Sequence, residues 1–571
     1  MTTEDPYRYF PLQDRCIRLL RATSADNKDN RVFEFLSTSL EEAEHAFTAI
    51  SYTWGDPDAG FASIVIDGKT LLLPLSAVEV IDELGRQSPE FTIWIDVLCI
   101  NQKDLKEKAQ QVRYMGDVYK KAALVLIWLG SSTEESATAF AGMAQIQKAI
   151  EEEAETEITL GPGAKIGATI KDERDLAAYT KLFERPWFRR IWVVQEVILA
   201  ENALIICGED MVLWQVLEIT ILEYMIYTGG LNDPTALEAT PGLCAAFTMF
   251  SFRGSNGRKT NLPLEHALSD FHDWFLATDP RDIIFGVIGF VTDGEDPAFA
   301  PDYEADIQTV YIRAMRAMMR TSRDLRLLLQ TGIGIRRTLT GLPSWVPDFT
   351  SMATGPARWR DDNDRASPQD SVSVEFPNDR TVAVHGRILS TIKTVVPGLE
   401  LVSESIVRLV DLVQQNLPYP SGASWYDVAW RTSIMNNYAG TTETKAYSMV
   451  FQCYIKKQGV DVPGFVCTLE DSECIRNHRN PCDRELARNG FGRQRRICVT
   501  DDGYVGLVLE GTREGDKLCL LMGAKAPFII RENPRKDGEN RTYTLVGHCY
   551  IDGVMNGKGL EMGQEEFIRL T

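Results

Sequence analysis

The stretch FTIWIDVLCINQKDLKEKAQQVRYMGDVYKKAALVLIWLG, residues 91 to 130, decides the fold. From Phe91 to Val97 it is apolar, β-branched and aromatic, interrupted by Asp96, which is the pattern of a strand covered on both faces. From Leu105 the apolar residues Leu105, Ala109, Val112, Met115, Tyr119 and Ala122 recur at helical spacing, with charged residues mostly between them. Ala123 to Leu129 is a second apolar run, closed by Gly130. Strand, helix, strand takes a right-handed crossover and makes the two strands parallel. Ligands of such sheets bind beyond the carboxyl ends of the strands. Asp96, Cys99, Asn101 and Gln102 fall there, and an unpaired carboxylate is expensive to bury.

The same grammar continues outward. Phe47 to Thr53 reads as a strand ending in Tyr52, Thr53, Trp54, Gly55 and Asp56, a second polar and aromatic cluster on the same edge. Ser63 to Leu73 reads as a hairpin turning at Asp67-Gly68, and Ser76 to Gln87 as a short helix capped by Ser76. Arg185 to Ala200 leads into Ala203 to Cys207, a further short strand. Four parallel strands with intervening helices predict a flavodoxin-like, doubly wound α/β layer. The first domain spans 1–207, with a helical insertion at 134–180 whose acidic stretch Ala149 to Glu157 is a solvated face. Residues 208–350 read as mainly helical, with Thr309 to Gln330 the clearest amphipathic helix. Residues 351–490 form a mixed region of uncertain fold. In 491–571, short alternating strands broken by Asp502-Gly503, Glu510-Gly511 and Glu514-Gly515 predict a small β barrel or sandwich.

AISYTWGDP at Ala49 to Pro57, WIDVLCINQ at Trp94 to Gln102, the QQVRYMGDVYKKA helix, LIWLG at Leu126 to Gly130 and PWFRRIWVVQEVILA closely resemble the fungal heterokaryon incompatibility (HET) domain. TDPRDIIFGVIGF at Thr278 to Phe290, LPSWVPDF at Leu342 to Phe349 and the tail motifs DGYVGL, GDKLCLLMGAKAPFIIR and GHCYIDGVMNG extend the resemblance over most of the chain. It implies a protein that triggers growth arrest or cell death when genetically different fungal cells fuse. It also implies a distant likeness to the TIR domain, which is flavodoxin-like and in many members cleaves NAD with a glutamate shortly after a tryptophan. Trp192 and Glu196 resemble that pairing, with Val193 where some members have cysteine.

On this reading NAD is the substrate, no bound cofactor is called for, and Glu196 is the catalytic carboxylate. Cleavage of the nicotinamide–ribose bond passes through an oxocarbenium-like state that one carboxylate can stabilise, and the leaving group needs no general acid. Tyr52, Trp54 and Trp192 would stack on the rings, Gly55 and Asp56 would lie near phosphate or ribose, and Asp96, Asn101 and Gln102 would bind ribose hydroxyls. Each residue also has a plainer reading. Glu196 pairs with Arg185, Arg189 or Arg190; Asp96 caps the turn that follows it; Asn101 caps the helix beginning near Lys103; and Trp54, Trp94, Trp128, Trp187 and Trp192 are packing residues.

Composition bounds the rest. The chain has 571 residues, too many for one core, and a formal net charge of −21, which argues against nucleic acid and anionic membrane surfaces as partners. MTTEDPYRYFPLQDRC has no apolar signal region and no run approaches the length of a membrane span, so a cytoplasmic protein is expected. The 11 cysteines are odd in number and scattered, often in apolar runs, so no disulfide framework is needed. Cys467, Cys474, His478 and Cys482 hold enough ligands for zinc but match no standard spacing, and no metal site is assigned. GPGAKIG at Gly161 to Gly167 lacks the Lys-Ser/Thr ending of a phosphate loop. No G-x-S-x-G supports a serine hydrolase. Two functions remain: an NAD-depleting enzyme, or a signalling module acting by self-association or by docking an incompatibility partner.

Overall fold

A computed structural model describes residues 7–24, 31–154, 169–228, 240–253, 262–271, 274–351, 365–368, 371–396, 402–435, 444–462, 495–535 and 538–571. The chain forms two compact units, Met1–Ile307 and Gln308–Thr571. The Cys467, Cys474, His478 and Cys482 cluster and the GPGAKIG segment lie outside the described residues.

The first unit is built on a nine-stranded sheet in the order β5-β4-β2-β1-β6-β3-β7-β8-β9. Its strands are β1 (Cys16–Ser24), β2 (Arg31–Ser39), β3 (Thr48–Ser51), β4 (Phe61–Ile66), β5 (Lys69–Pro74), β6 (Phe91–Trp94), β7 (Leu124–Trp128), β8 (Ala203–Cys207) and β9 (Asp210–Leu213). The four central strands β6, β3, β7 and β8 are mutually parallel, with Thr48 opposite Ile93 on one side and Leu124 on the other. In chain order these four run second, first, third, fourth, so the direction of winding reverses at β3. A reversal of this kind leaves a crevice beyond the carboxyl ends of the strands on either side of it. The β4–β5 hairpin turns at Asp67 and Gly68, both at positive φ, as its Asp-Gly signal predicts. The antiparallel β1–β2 pair, which joins the sheet through β6, was not anticipated.

Helices α1 (Leu75–Gln87), α2 (Asp96–Cys99), α3 (Leu105–Lys121), α4 (Glu134–Ala154), α5 (Glu173–Phe183), α6 (Val193–Ile198) and α7 (Trp214–Tyr227) fill the connections. Three local expectations are corrected. Strand β6 stops at Trp94 rather than Val97, because Asp96 to Cys99 wind into one helical turn. Asn101 does not cap α3, which starts at Leu105, not near Lys103; Asp104 does, accepting from the N–H groups of Lys106 at 3.0 Å and Glu107 at 3.2 Å. Ser76 does not cap α1 but lies inside it, and its hydroxyl donates to the Trp54 carbonyl at 2.6 Å. Helix α3 packs very closely: a Cβ at Gly116 would stand 2.9 Å from the Cα of Gly289 and 3.2 Å from Leu199 Cδ1.

The second unit has strands β10 (Val374–Asn378), β11 (Thr381–Val396), β12 (Arg495–Thr500), β13 (Val505–Leu509), β14 (Lys517–Leu521), β15 (Phe528–Glu532), β16 (Tyr543–His548), β17 (Tyr550–Ile551) and β18 (Gln564–Leu570). Pairings β11–β14, β14–β15, β15–β16, β16–β18 and β18–β11 return to their starting strand, so the sheet closes into a barrel. The far end of β11 leaves the ring to pair with β12, which continues to β13 and β17. Gly503, Gly511 and Gly515 all sit at positive φ in the turns the sequence marks. The long amphipathic helix expected through Gln330 ends at Thr321; Leu325 takes φ 49, and Arg326–Gln330 wind as a 3-10 turn. Among the described residues no helix is long and apolar enough to cross a membrane, and no cluster of three or more His, Cys, Asp or Glu is placed to hold a metal ion.

Candidate functional site

Three short elements meet at the carboxyl end of β3, where the winding reverses. Ser51 is the last residue of β3; Asp96 opens α2 just beyond β6; Glu196 lies on α6, one turn after Trp192. The PWFRRIW segment ahead of α6 supplies Trp187 and Arg190.

Glu196 is buried, at 2% exposure, and the Ser51 hydroxyl donates to its Oε2. The Trp187 indole donates in turn to Ser51 Oγ at 2.8 Å, and the Tyr119 hydroxyl from α3 donates to the Ile50 carbonyl at 3.1 Å. Burial pushes the Glu196 carboxyl up to about 7; Arg190, Ser51 and Tyr119 act against that rise and Asp96 adds to it. The plainer pairing of Glu196 with an arginine therefore has a partial counterpart in the field of Arg190, whose guanidinium donates to the Tyr52 carbonyl.

Asp96 is partly exposed. It accepts from the Trp54 indole at 2.9 Å and from the Val97 N–H at 2.7 Å, so it does cap its own turn. Burial raises its pKa, against the pull of Arg190, the Trp54 bond, the Val97 N–H and Lys108. Tyr52 is 1% exposed, its hydroxyl has no hydrogen-bond partner among the described residues, and burial and the Asp96 charge hold its pKa well above the ordinary value. Cys99 is buried and pushed up to about 12, chiefly by that burial, which rules it out as a ready nucleophile.

Tyr52, Asp96 and Glu196 are thus brought together, with Trp54, 38% exposed, closing over Asp96. Gly55 and Asp56 form the exposed loop beyond, where Asp56 accepts from the Asp58 N–H at 2.9 Å. Asn101 and Gln102 have side-chain bonds that shape the loop: Asn101 Oδ1 accepts from the Lys103 N–H at 3.3 Å, and Gln102 donates to the Asp96 carbonyl at 2.9 Å. Trp192 faces a partner the sequence did not suggest. Its indole donates to Asp282 Oδ2 at 3.1 Å, while Tyr303 donates to Asp282 Oδ1 at 2.7 Å. Burial pushes the Asp282 carboxyl up to about 6. Ser51 and Asp282 have no role in the sequence reading, Tyr119 and Trp187 enter it only as packing residues, and Arg190 only as a pairing partner of Glu196. All five lie inside stretches that carry the family resemblance: Ser51 in AISYTWGDP, Tyr119 in QQVRYMGDVYKKA, Trp187 and Arg190 in PWFRRIWVVQEVILA, and Asp282 in TDPRDIIFGVIGF.

Residues 47–196 match the profile of the heterokaryon incompatibility protein (HET) family, and residues 485–568 match the Het-6 beta-barrel domain. The chain thus carries a segment similar to the HET domain. The HET match begins one residue before β3 and ends at Glu196, so it contains three of the four parallel strands, β3, β6 and β7, and the whole Tyr52, Asp96 and Glu196 cluster, while β8 lies beyond it. Asp282 lies beyond it. The chain is also 25% identical, over 96% of its length and 95% of the other protein's, to the heterokaryon incompatibility protein 6, OR allele, of Neurospora crassa. No solved structure matches.

Proposed function

We propose that this protein acts in fungal heterokaryon incompatibility, and that its HET domain does so in the cytoplasm by cleaving NAD at the nicotinamide–ribose bond, leading to cell death. The observation that carries the chemical reading is the meeting of Glu196, Asp96 and the free Tyr52 hydroxyl at the winding reversal, with Trp54 in front. The second, first, third, fourth order of the parallel strands supports the flavodoxin-like, TIR-like assignment. In the reaction the carbon–nitrogen bond breaks, neutral nicotinamide leaves, and ionised Glu196 stabilises the positive ribose carbon until water adds and a proton is released. Asp96 and Tyr52 hold ribose hydroxyls. Since burial sets Glu196 near 7, the working carboxylate fills as the pH rises through that value.

The test is nicotinamide release from NAD by the purified full-length chain. Wild type should release nicotinamide with a rate that climbs through about pH 7, and Glu196→Gln should fall by about a hundredfold or more. Equal rates for the two proteins would retire Glu196 as the catalytic group.

One observation favours a second reading. Glu196 is 2% exposed and fastened to β3 through Ser51. As a latch it would pin α6 to the sheet, and the domain would signal without chemistry, by self-association or by docking a partner. In that case Glu196→Gln lowers the stability of the domain and leaves nicotinamide release at zero in both proteins.

A further inference from the structure

The polar surface beside Asp96 continues onto residues that the NAD reading has not used. Lys108, in the first turns of α3, is partly exposed; its ammonium lies 4.3 Å from the centroid of the Tyr303 ring, and no carboxylate stands within ion-pair distance of it among the described residues. Tyr303 is held by its hydrogen bond to Asp282, and Asp282 also accepts from the partly exposed indole of Trp192. Lys108, Tyr303, Asp282 and Trp192 therefore form one chain of direct contacts that ends on the helix bearing Glu196. At the other end, the charge of Lys108 is felt by Asp96 as well as by Asp279 and Asp282.

Two features make this arrangement unlike an ordinary solvated lysine. The neighbouring Arg281 is fully occupied, bonded to Asp279 at 2.6 Å and to the carbonyls of Tyr303 and Ala305 at 2.9 and 2.7 Å, whereas Lys108 keeps its three N–H donors for something else. The groups linked to it by contact or by charge suit a nucleotide: Trp192, at the end of the contact chain, carries an indole ring, Asp96, bonded to the Trp54 indole, offers an acceptor for hydroxyls, and Lys108 has no ion-pair partner among the described residues.

We propose that Lys108 is the phosphate contact of this site, so that the HET domain recognises a phosphate-bearing nucleotide with its diphosphate on Lys108 and a ring on Trp192. The inference rests on the NAD reading and extends it from the broken bond to the part of the molecule that is kept.

The experiment is calorimetric binding of ADP-ribose and of adenosine to the purified full-length chain, with nicotinamide release from NAD measured on the same preparations. Wild type should bind ADP-ribose; Lys108→Gln should weaken that binding by about tenfold or more while leaving adenosine within about twofold, and Lys108→Arg, which keeps the charge, should retain most of the affinity. ADP-ribose binding that is absent in wild type, or unchanged in Lys108→Gln, overturns the proposal. The two readings separate cleanly. Nicotinamide released with no contribution from Lys108 to ADP-ribose affinity retires the phosphate contact and keeps the chemistry. ADP-ribose held through Lys108 without any nicotinamide release keeps the contact and retires the chemistry.

Discussion

Glu196 in the first unit and Asp324 in the second are equally buried, each at 2% exposure, yet their carboxyls move in opposite directions. Burial pushes both upward. For Asp324, Arg326 donates to both oxygens, at 3.2 and 2.9 Å, and the charges of Lys525 and of Arg365, 3.9 Å away, add to it, so the cations override burial and hold the carboxyl below its ordinary value. The direct partner of Glu196 is a hydroxyl, backed by an indole, while Arg190 acts on it only through its field and not by a direct bond, and burial wins, leaving it near 7. Asp282, held by an indole and a phenol, likewise sits up near 6. A counter-charge fixes a buried carboxylate as an ion; neutral donors leave it poised to gain or lose a proton near physiological pH. In these carboxylates the first unit spends its burial on titration and the second on cohesion.

The sharpest way to break that contrast is to remove the counter-charge. Arg326→Ala leaves Asp324 buried with the more distant Arg365 and the field of Lys525, and should lower the stability of the second unit by about 3 kcal/mol in chemical denaturation. A loss below about 1 kcal/mol would mean that the pair is structural in appearance only.

A smaller effect tests the two units against each other by pH. The folded first unit keeps a proton on Glu196 between its ordinary 4.5 and about 7, where the unfolded chain has given it up. The stabilisation from that proton is full below about pH 4.5 and is lost as pH rises to about 7, by on the order of 3 kcal/mol. The Asp324 contribution has the opposite sign: it is present above the ordinary value of 3.8 and is lost on further acidification. Unfolding followed across pH should therefore show a declining limb for the first unit that Glu196→Gln flattens. A slope that survives the substitution would assign the titration to another group.

The smallest change is Ser51→Ala, which takes the hydroxyl from Glu196 and an acceptor from Trp187. It should cost about 1 kcal/mol and move the pH midpoint of nicotinamide release upward. An unmoved midpoint would show that Glu196 does not lean on Ser51.

The strands around the site were legible because each is a short apolar run with a local stop, and the barrel turns because Asp-Gly and Glu-Gly announce them. What was not legible depends on distant partners. The β1 strand carries Arg18, 0% exposed, which looks impossible until Glu107, 89 positions away, is seen accepting from it at 2.6 Å. Trp192 could not be matched to Asp282 for the same reason, since the two are 90 positions apart. Asn101 and Asp104 are equally good caps on paper, and only the point at which α2 releases the chain decides between them. The site lies at the sheet edge the sequence marks, but the roles of Ser51 and Tyr119, which act on its glutamate, and of Trp187, which donates to Ser51, depend on partners far along the chain that no local pattern reveals.

The long strand β11 has a practical corollary for anyone who wishes to isolate the barrel. It runs from Thr381 to Val396 and forms ladders with β12, β14 and β18, whereas the matched barrel domain begins only at residue 485. A fragment cut at that boundary would lack its own keystone, and three strands that now share one neighbour would each present bare N–H and C=O groups to other molecules. Such exposed edges are templates for sticking. The piece that looks like a self-sufficient module in sequence is, as a folded object, borrowed in part from about a hundred residues upstream.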